Sequence, residues 1–188
     1  MGNLRTVTEH MLKRLERSPL SGGRRWEVPR MLLTRDGQDH WISSEGSFWR
    51  ALSFIEAAQT FELIKDMEQA HEVGRALGMF HNLLSDLPAA KLADMLGGFH
   101  VTPRCLESYD EVLAKKGAAK SREVDHALHI VEARRPLAPV LEEAKAQGRL
   151  RLRPIHGDPK INNFMMDNAT VQAVILVDLD TVKPGLAH

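Results

Sequence analysis

The 188-residue chain has one cysteine, Cys105, which excludes an internal disulfide and a cysteine-built metal site. Charge of either sign is not in surplus: 25 Lys+Arg face 25 Asp+Glu. Binding to phosphate backbones needs a cationic excess, so nucleic acid is not expected as a partner. The short basic runs, Arg24-Arg25 and Arg149 to Arg153, read as solvated surface. No apolar run approaches the roughly 20 residues of a membrane span, and the first ten residues lack the apolar core of a signal peptide. These absences lead to the expectation of a soluble, cytoplasmic protein with no membrane partner. Aromatic residues are scarce at 5%, yet hydrophobic residues make up 43%, enough for a packed core.

What is present is ordered in blocks. Leu4, Val7, Met11 and Leu15 mark one face of a helix over 3–17, closed by Ser18-Pro19. Three strand-like runs follow, at 31–34, 40–43 and 48–55. Asp36-Gly37 and Glu45-Gly46 turn between them, which predicts a small antiparallel meander. Ala70, Val73, Leu77, Phe80 and Leu84 hold helical spacing over 66–84. Residues 96–103 read as loop, and further helices are expected over 106–113, 122–132 and 137–147, the last capped by Gly148. Strands over 150–155, 164–166 and 171–177 close the chain, with Asp167-Asn168 as a turn. Segregated strands and helices predict an α+β fold. The change of character near Glu56 divides the chain into 1–56, a helix with a small sheet, and 57–188, mostly helical.

The chemically informative stretch is His156-Gly157-Asp158-Pro159-Lys160-Ile161-Asn162-Asn163, in a loop after a strand. Val177-Asp178-Leu179-Asp180 lies at the end of another strand. Transfer of a phosphoryl group needs a carboxylate near the attacking hydroxyl and hard oxygen ligands for a divalent cation. Asp158 suits the first task, Asn163 and Asp178 the second, and Lys160 could neutralise charge on the transferred group. The alternative is that Asp158 and Asn163 are turn and capping residues, which these types favour. His156 is expected to orient the loop.

His-x-Asp, an Asn five residues after that Asp, and a hydrophobic-Asp at a strand end together resemble the kinase catalytic loop and metal-binding Asp. The His-Gly-Asp form is similar to the aminoglycoside phosphotransferase and choline kinase group. Asp158-x-Lys160-Ile-Asn-Asn163, Val177-Asp-Leu-Asp-Thr-Val-x-Pro-Gly185, Phe48-Trp49-Arg50 to Phe54-Ile55-Glu56, and Phe99-His100-x-Thr102-Pro103 resemble its N-acetylhexosamine 1-kinase branch. The resemblance implies a protein kinase-like two-lobe fold, with a partial small β lobe before a mostly helical lobe. It implies ATP and Mg²⁺ as cofactors and a small-molecule hydroxyl as acceptor, a sugar of the N-acetylhexosamine type. By the same resemblance Asp158 is the catalytic Asp, assisted by Lys160, and Asn163 and Asp178 bind Mg²⁺. Phe54, Ile55 and Glu56 form the hinge that receives adenine, and Asp180 is a supporting acid. The family places a glycine-rich hairpin and a phosphate-binding Lys ahead of the first helix, and acidic and helical segments after Pro184-Gly185. Neither is found here, so a kinase centre truncated at both ends is expected, with apolar faces available for self-association. An aminoglycoside or amino-alcohol kinase of the same fold, and a non-catalytic remnant, are the alternatives.

Overall fold

The computed structural model describes residues 2–20 and 23–186. Their contacts group into two compact units. One holds the described residues up to Ala93 together with Arg153–Pro184, and the other holds Asp94–Leu152 with the described residues from Gly185. This grouping does not coincide with a break at Glu56. The segment just after Glu56 joins the first unit because strand β5 (Ala58–Gln59) pairs antiparallel with β7 (Phe164–Asp167), Ala58 opposite Asp167.

In the first unit, helix α1 (Gly2–Arg17) forms where the spacing predicts it, burying Leu4, Val7 and Met11. Asn3 is buried on the same face. Its Nδ2 donates to the carbonyls of Ala93 at 2.7 Å and Val182 at 2.9 Å, and its Oδ1 accepts from the Ala93 N–H at 2.8 Å. One short side chain thus ties the helix start to two distant segments.

The expected meander is instead a nested ribbon. β1 (Met31–Leu32) pairs with β4 (Ala51–Leu52), and β2 (Trp41–Ile42) pairs with β3 (Phe48–Trp49), all antiparallel. The Asp36-Gly37 turn does form, with the Gly37 N–H on the Thr34 carbonyl and the Thr34 N–H on the Gln38 carbonyl. It closes a local excursion and does not join paired strands. Met31 and Leu52 pack against the core, whereas Trp41 and Trp49 remain 57% and 61% exposed.

Helix α2 (Met67–Leu83) begins at Asp66, whose side chain accepts from the Gln69 N–H. Its buried line is Gln69, Glu72, Ala76, Phe80 and Leu83, while the expected Ala70, Val73 and Leu77 are half-buried. The face is turned because Glu72 is held inside, paired with Arg24 and accepting from the Ala173 N–H at 3.0 Å. α2 lies against β8 (Ala173–Leu176), which is buried at every position and pairs with β7. Phe80, Phe164 and Leu176 centre this core with Val7 and Leu84. Each such side chain contributes about 1.5–3 kcal/mol by leaving water.

The second unit contains α3 (Thr102–Lys116), α4 (Arg122–Arg134) and α5 (Val140–Ala146). α3 starts well before the expected Leu106, because Pro103 sits in its first turn, where no N–H is needed. α5 starts after the expected Leu137, since Arg135–Leu137 forms a 3-10 turn around Pro136. Gly148 follows α5 with φ +72° and donates to the Lys145 carbonyl, as its capping role requires. Strand β6 (Arg153–Ile155) lies in the first unit and leads into the His156 loop. Among the described residues no helix is long and apolar enough to cross a membrane.

Candidate active site

β6 delivers the His156–Asn163 loop, and β8 delivers Val177 and Asp178. Four hydrogen bonds join the two segments in a closed circuit. His156 Nε2 donates to the Val177 carbonyl at 2.8 Å, and the Val177 N–H donates to the Asn163 carbonyl at 2.8 Å. Asn163 Nδ2 donates to the Asp158 carbonyl at 2.8 Å, and the Asp158 N–H donates to His156 Nδ1 at 3.3 Å. These partners fix the imidazole as the neutral Nε2–H tautomer. Burial pushes the His156 pKa below the usual histidine value, against the opposing pull of the Val177 carbonyl and of Asp178 and Asp158. The ring is 1% exposed, with Phe80 edge-on at 5.5 Å. His156 therefore orients the loop and takes no part at its surface.

The loop's second support is Thr181, whose Oγ1 donates to the His156 carbonyl at 2.7 Å. Gly157, with φ +86°, runs so close that a Cβ there would lie 2.7 Å from the Thr181 carbonyl oxygen. Only glycine meets both conditions, backbone hand and space.

This frame sets out the side chains. Asp158 is half-buried, and its Oδ2 lies 2.9 Å from Lys160 Nζ. That contact raises the Lys160 pKa and keeps the side chain an ammonium ion. Asn163 is buried on a 3-10 turn (Ile161–Asn163); with Nδ2 engaged, its Oδ1 accepts from none of the described residues. Asp178 is exposed in the left-handed region, φ +62° and ψ +47°, and starts the 3-10 turn Leu179–Thr181. Its carboxylate makes no hydrogen bond or ion pair with the described residues. An amide oxygen and a carboxylate are hard donors, and both are uncommitted. They fit a small divalent cation that keeps several of its own waters. No cluster of three or more His, Cys, Asp or Glu suited to a metal occurs among the described residues, so a site enclosed by such side chains is not formed there.

Beside Asp178 lies a pocket of about 270 Å³, walled by Leu52, Phe54, Ile55, Met165 and Val177. The expected hinge is thus partly at this pocket. Ile55 is buried against Val174 and Ile175, and Phe54 is 82% exposed. Glu56 is not on the pocket wall, and its carbonyl accepts from Arg25 at 2.6 Å.

Arg50 escaped the sequence reading. It stands between β3 and β4 on the same side of the ribbon as Leu52, reaches the pocket, and grips both carboxylate oxygens of Asp180. The pair raises the Arg50 pKa and lowers that of Asp180. A signal was present: Arg50 is the single charge in the apolar run 48–52. Thr181 was missed as well, and nothing in its spacing marks it.

A family described as the phosphotransferase enzyme family, which includes aminoglycoside phosphotransferase-like and choline kinase-like members, matches residues 9–188. Nearly the whole chain is covered, including both segments of the closed circuit, and the chain belongs to this kinase-like phosphotransferase family.

Proposed function

We propose that the protein is an ATP- and Mg²⁺-dependent kinase acting on a hydroxyl of a small molecule, a sugar of the N-acetylhexosamine type. The observation that carries this reading is the closed circuit through His156, Asp158, Asn163 and Val177, which displays one half-buried carboxylate and two uncommitted oxygen donors, Asp178 among them on the wall of a pocket.

Asp158 would accept a hydrogen bond from the acceptor hydroxyl and take its proton as the bond to phosphorus forms. Its position is set by backbone contacts on both sides, so no reorganisation is needed when the hydroxyl arrives. Lys160, held at Asp158, would place positive charge beside the oxygens of the transferred group. Asn163 Oδ1 and the Asp178 carboxylate would hold Mg²⁺. When bound, the ion would neutralise phosphate charge as the transferred group departs. Leu52, Ile55 and Met165 supply apolar walls for a planar base, with backbone groups of the Phe54–Glu56 segment at the hinge. Residues 1–56 and 57–188 would then belong to the two lobes on either side of that hinge. The acceptor follows from the likeness of residues 177–185 and 99–103 to the N-acetylhexosamine 1-kinase branch.

The test is product formation from Mg-ATP and a panel of N-acetylhexosamines, aminoglycosides and amino alcohols, with Asp158→Asn alongside. Turnover confined to N-acetylhexosamines, and about 10²–10⁴-fold slower in Asp158→Asn, is expected. Preference for another acceptor would correct the substrate alone. Undiminished turnover in Asp158→Asn would remove the mechanism.

A further inference from the structure

The pocket beside Asp178 has an electrostatic composition that its proposed use does not explain. Its wall carries two carboxylates, Asp178 and Asp180, and one cation, Arg50. The two acids are two residues apart on one turn, yet they are not equivalent. Asp180 has both oxygens taken by the two terminal nitrogens of Arg50. Asp178 has no such partner among the described residues. The turn itself is fixed from the other side by Thr181 on the His156 carbonyl.

A two-pronged guanidinium–carboxylate contact is stronger and more directional than a single one. Arg50 and Asp180 are 29% and 45% exposed, so stability gained from the pair is modest. What the pair does change is the charge available to a ligand. Without Arg50, two neighbouring carboxylates would face the pocket and favour a bare divalent cation. With Arg50 in place, one carboxylate is cancelled and the pocket wall is less hostile to an anion.

We propose that Arg50 is a specificity-determining residue of this site: by engaging both oxygens of Asp180 it leaves Asp178 as the single uncommitted carboxylate, so that the pocket takes a divalent cation already carried by a polyphosphate in preference to the bare ion. The inference rests on the nucleotide reading of the pocket and extends it to the choice between free and complexed metal. Arg50 acts on the choice of ligand, and the proton-accepting work stays with Asp158.

The experiment compares the wild type with Arg50→Met, Arg50→Lys and Arg50→Met/Asp180→Asn in two binding measurements. Bare Mn²⁺ is titrated by electron paramagnetic resonance, and a Mg²⁺-bound non-hydrolysable ATP analogue by calorimetry. Arg50→Met should bind Mn²⁺ about tenfold tighter, since a cation is removed and a carboxylate released. The gain should vanish in the double variant, which no longer has the released charge. Arg50→Met should bind the Mg-analogue about tenfold more weakly, and Arg50→Lys should recover part of that affinity. Unchanged or weaker Mn²⁺ binding by Arg50→Met overturns the inference, as does a gain that survives in the double variant. If the wild type takes no Mg-analogue while the Mn²⁺ pattern holds, the nucleotide reading fails and the charge balance at Asp178 stands. Circular dichroism of each variant separates these outcomes from misfolding.

Discussion

Replacing Gly157 with alanine tests the frame of the site in a way that can be costed. At φ +86° an L-residue carries strain of about 1–2 kcal/mol. The added Cβ would lie 2.7 Å from the Thr181 carbonyl oxygen and 3.3 Å from its Cβ, and the first of these is a backbone atom that cannot rotate away. Relieving the overlap means separating the loop from the turn and weakening the 2.7 Å bond from Thr181 to the His156 carbonyl, at about 1 kcal/mol. The sum is about 2–3 kcal/mol. Gly37 provides the control: its φ is +78°, and a Cβ there meets nothing within 4 Å. Gly37→Ala should cost the strain alone, about 1–2 kcal/mol. Urea unfolding followed by Trp26 fluorescence suits the purpose, since Trp26 packs against the core of the first unit while Trp41 and Trp49 are already largely exposed. At a slope near 2 kcal/mol/M, Gly157→Ala should lower the midpoint by about 1–1.5 M. Equal shifts in the two variants would refute the close-approach argument, and no shift at Gly157 would refute the frame itself.

Asp178→Asn should weaken binding of the Mg²⁺-bound ATP analogue yet leave the urea midpoint close to the wild type, because asparagine tolerates the left-handed backbone that Asp178 adopts. Glu72→Ala strands Arg24 and the buried Ala173 N–H together, and should destabilise by about 3–5 kcal/mol in calorimetry. Glu72→Gln keeps an acceptor for Ala173 and should lose less. Burial holds the His156 pKa below its ordinary value near 6.5, so the unfolded chain binds the extra proton first as pH falls. Stability should therefore be full above about pH 6.5 and decline below it, toward the depressed pKa. His81 is depressed by burial and by Arg153, and shares that slope. Measured between pH 7.5 and 5.5, the decline should be shallower in His156→Gln, and an unchanged slope would disprove the assignment.

Local signals were the legible ones. The face of α1, the span of α4, the Asp66 start of α2, the Asp167-Asn168 turn and the His156–Asn163 loop all depend on neighbours a few residues apart. What sequence reasoning missed depends on partners far along the chain. The ribbon nests because Met31 and Leu52 meet at the core, which no turn signal encodes. The buried line of α2 runs through Gln69 and Glu72 because Arg24 and Ala173 receive Glu72, 48 and 101 residues away. Arg50 reaches Asp180 across 130 residues. The 96–103 segment reads as loop, yet α3 begins inside it at Thr102, since proline is tolerated in a first helical turn and excluded from later ones. In the candidate site, the motif singles out Asp158, Asn163 and Asp178 as candidates, but the left-handed backbone at Asp178 and the pairing that sets it apart from Asp180 are visible only in three dimensions.

The first compact unit is discontinuous in sequence, and this governs how it can be made. Val7, Phe80 and Leu84 emerge from the ribosome early, while their partners Phe164, Leu176 and Val182 lie beyond the whole of Asp94–Leu152. At about 5–20 residues per second, the apolar faces of α1 and α2 wait several seconds for their sheet. Until then the nascent chain holds two amphipathic helices and a ribbon with two solvent-facing tryptophans, and nothing to close them. The segment that completes the fold is the one that carries the His156–Asn163 loop, so newly made chains gain core and candidate site in a single late event.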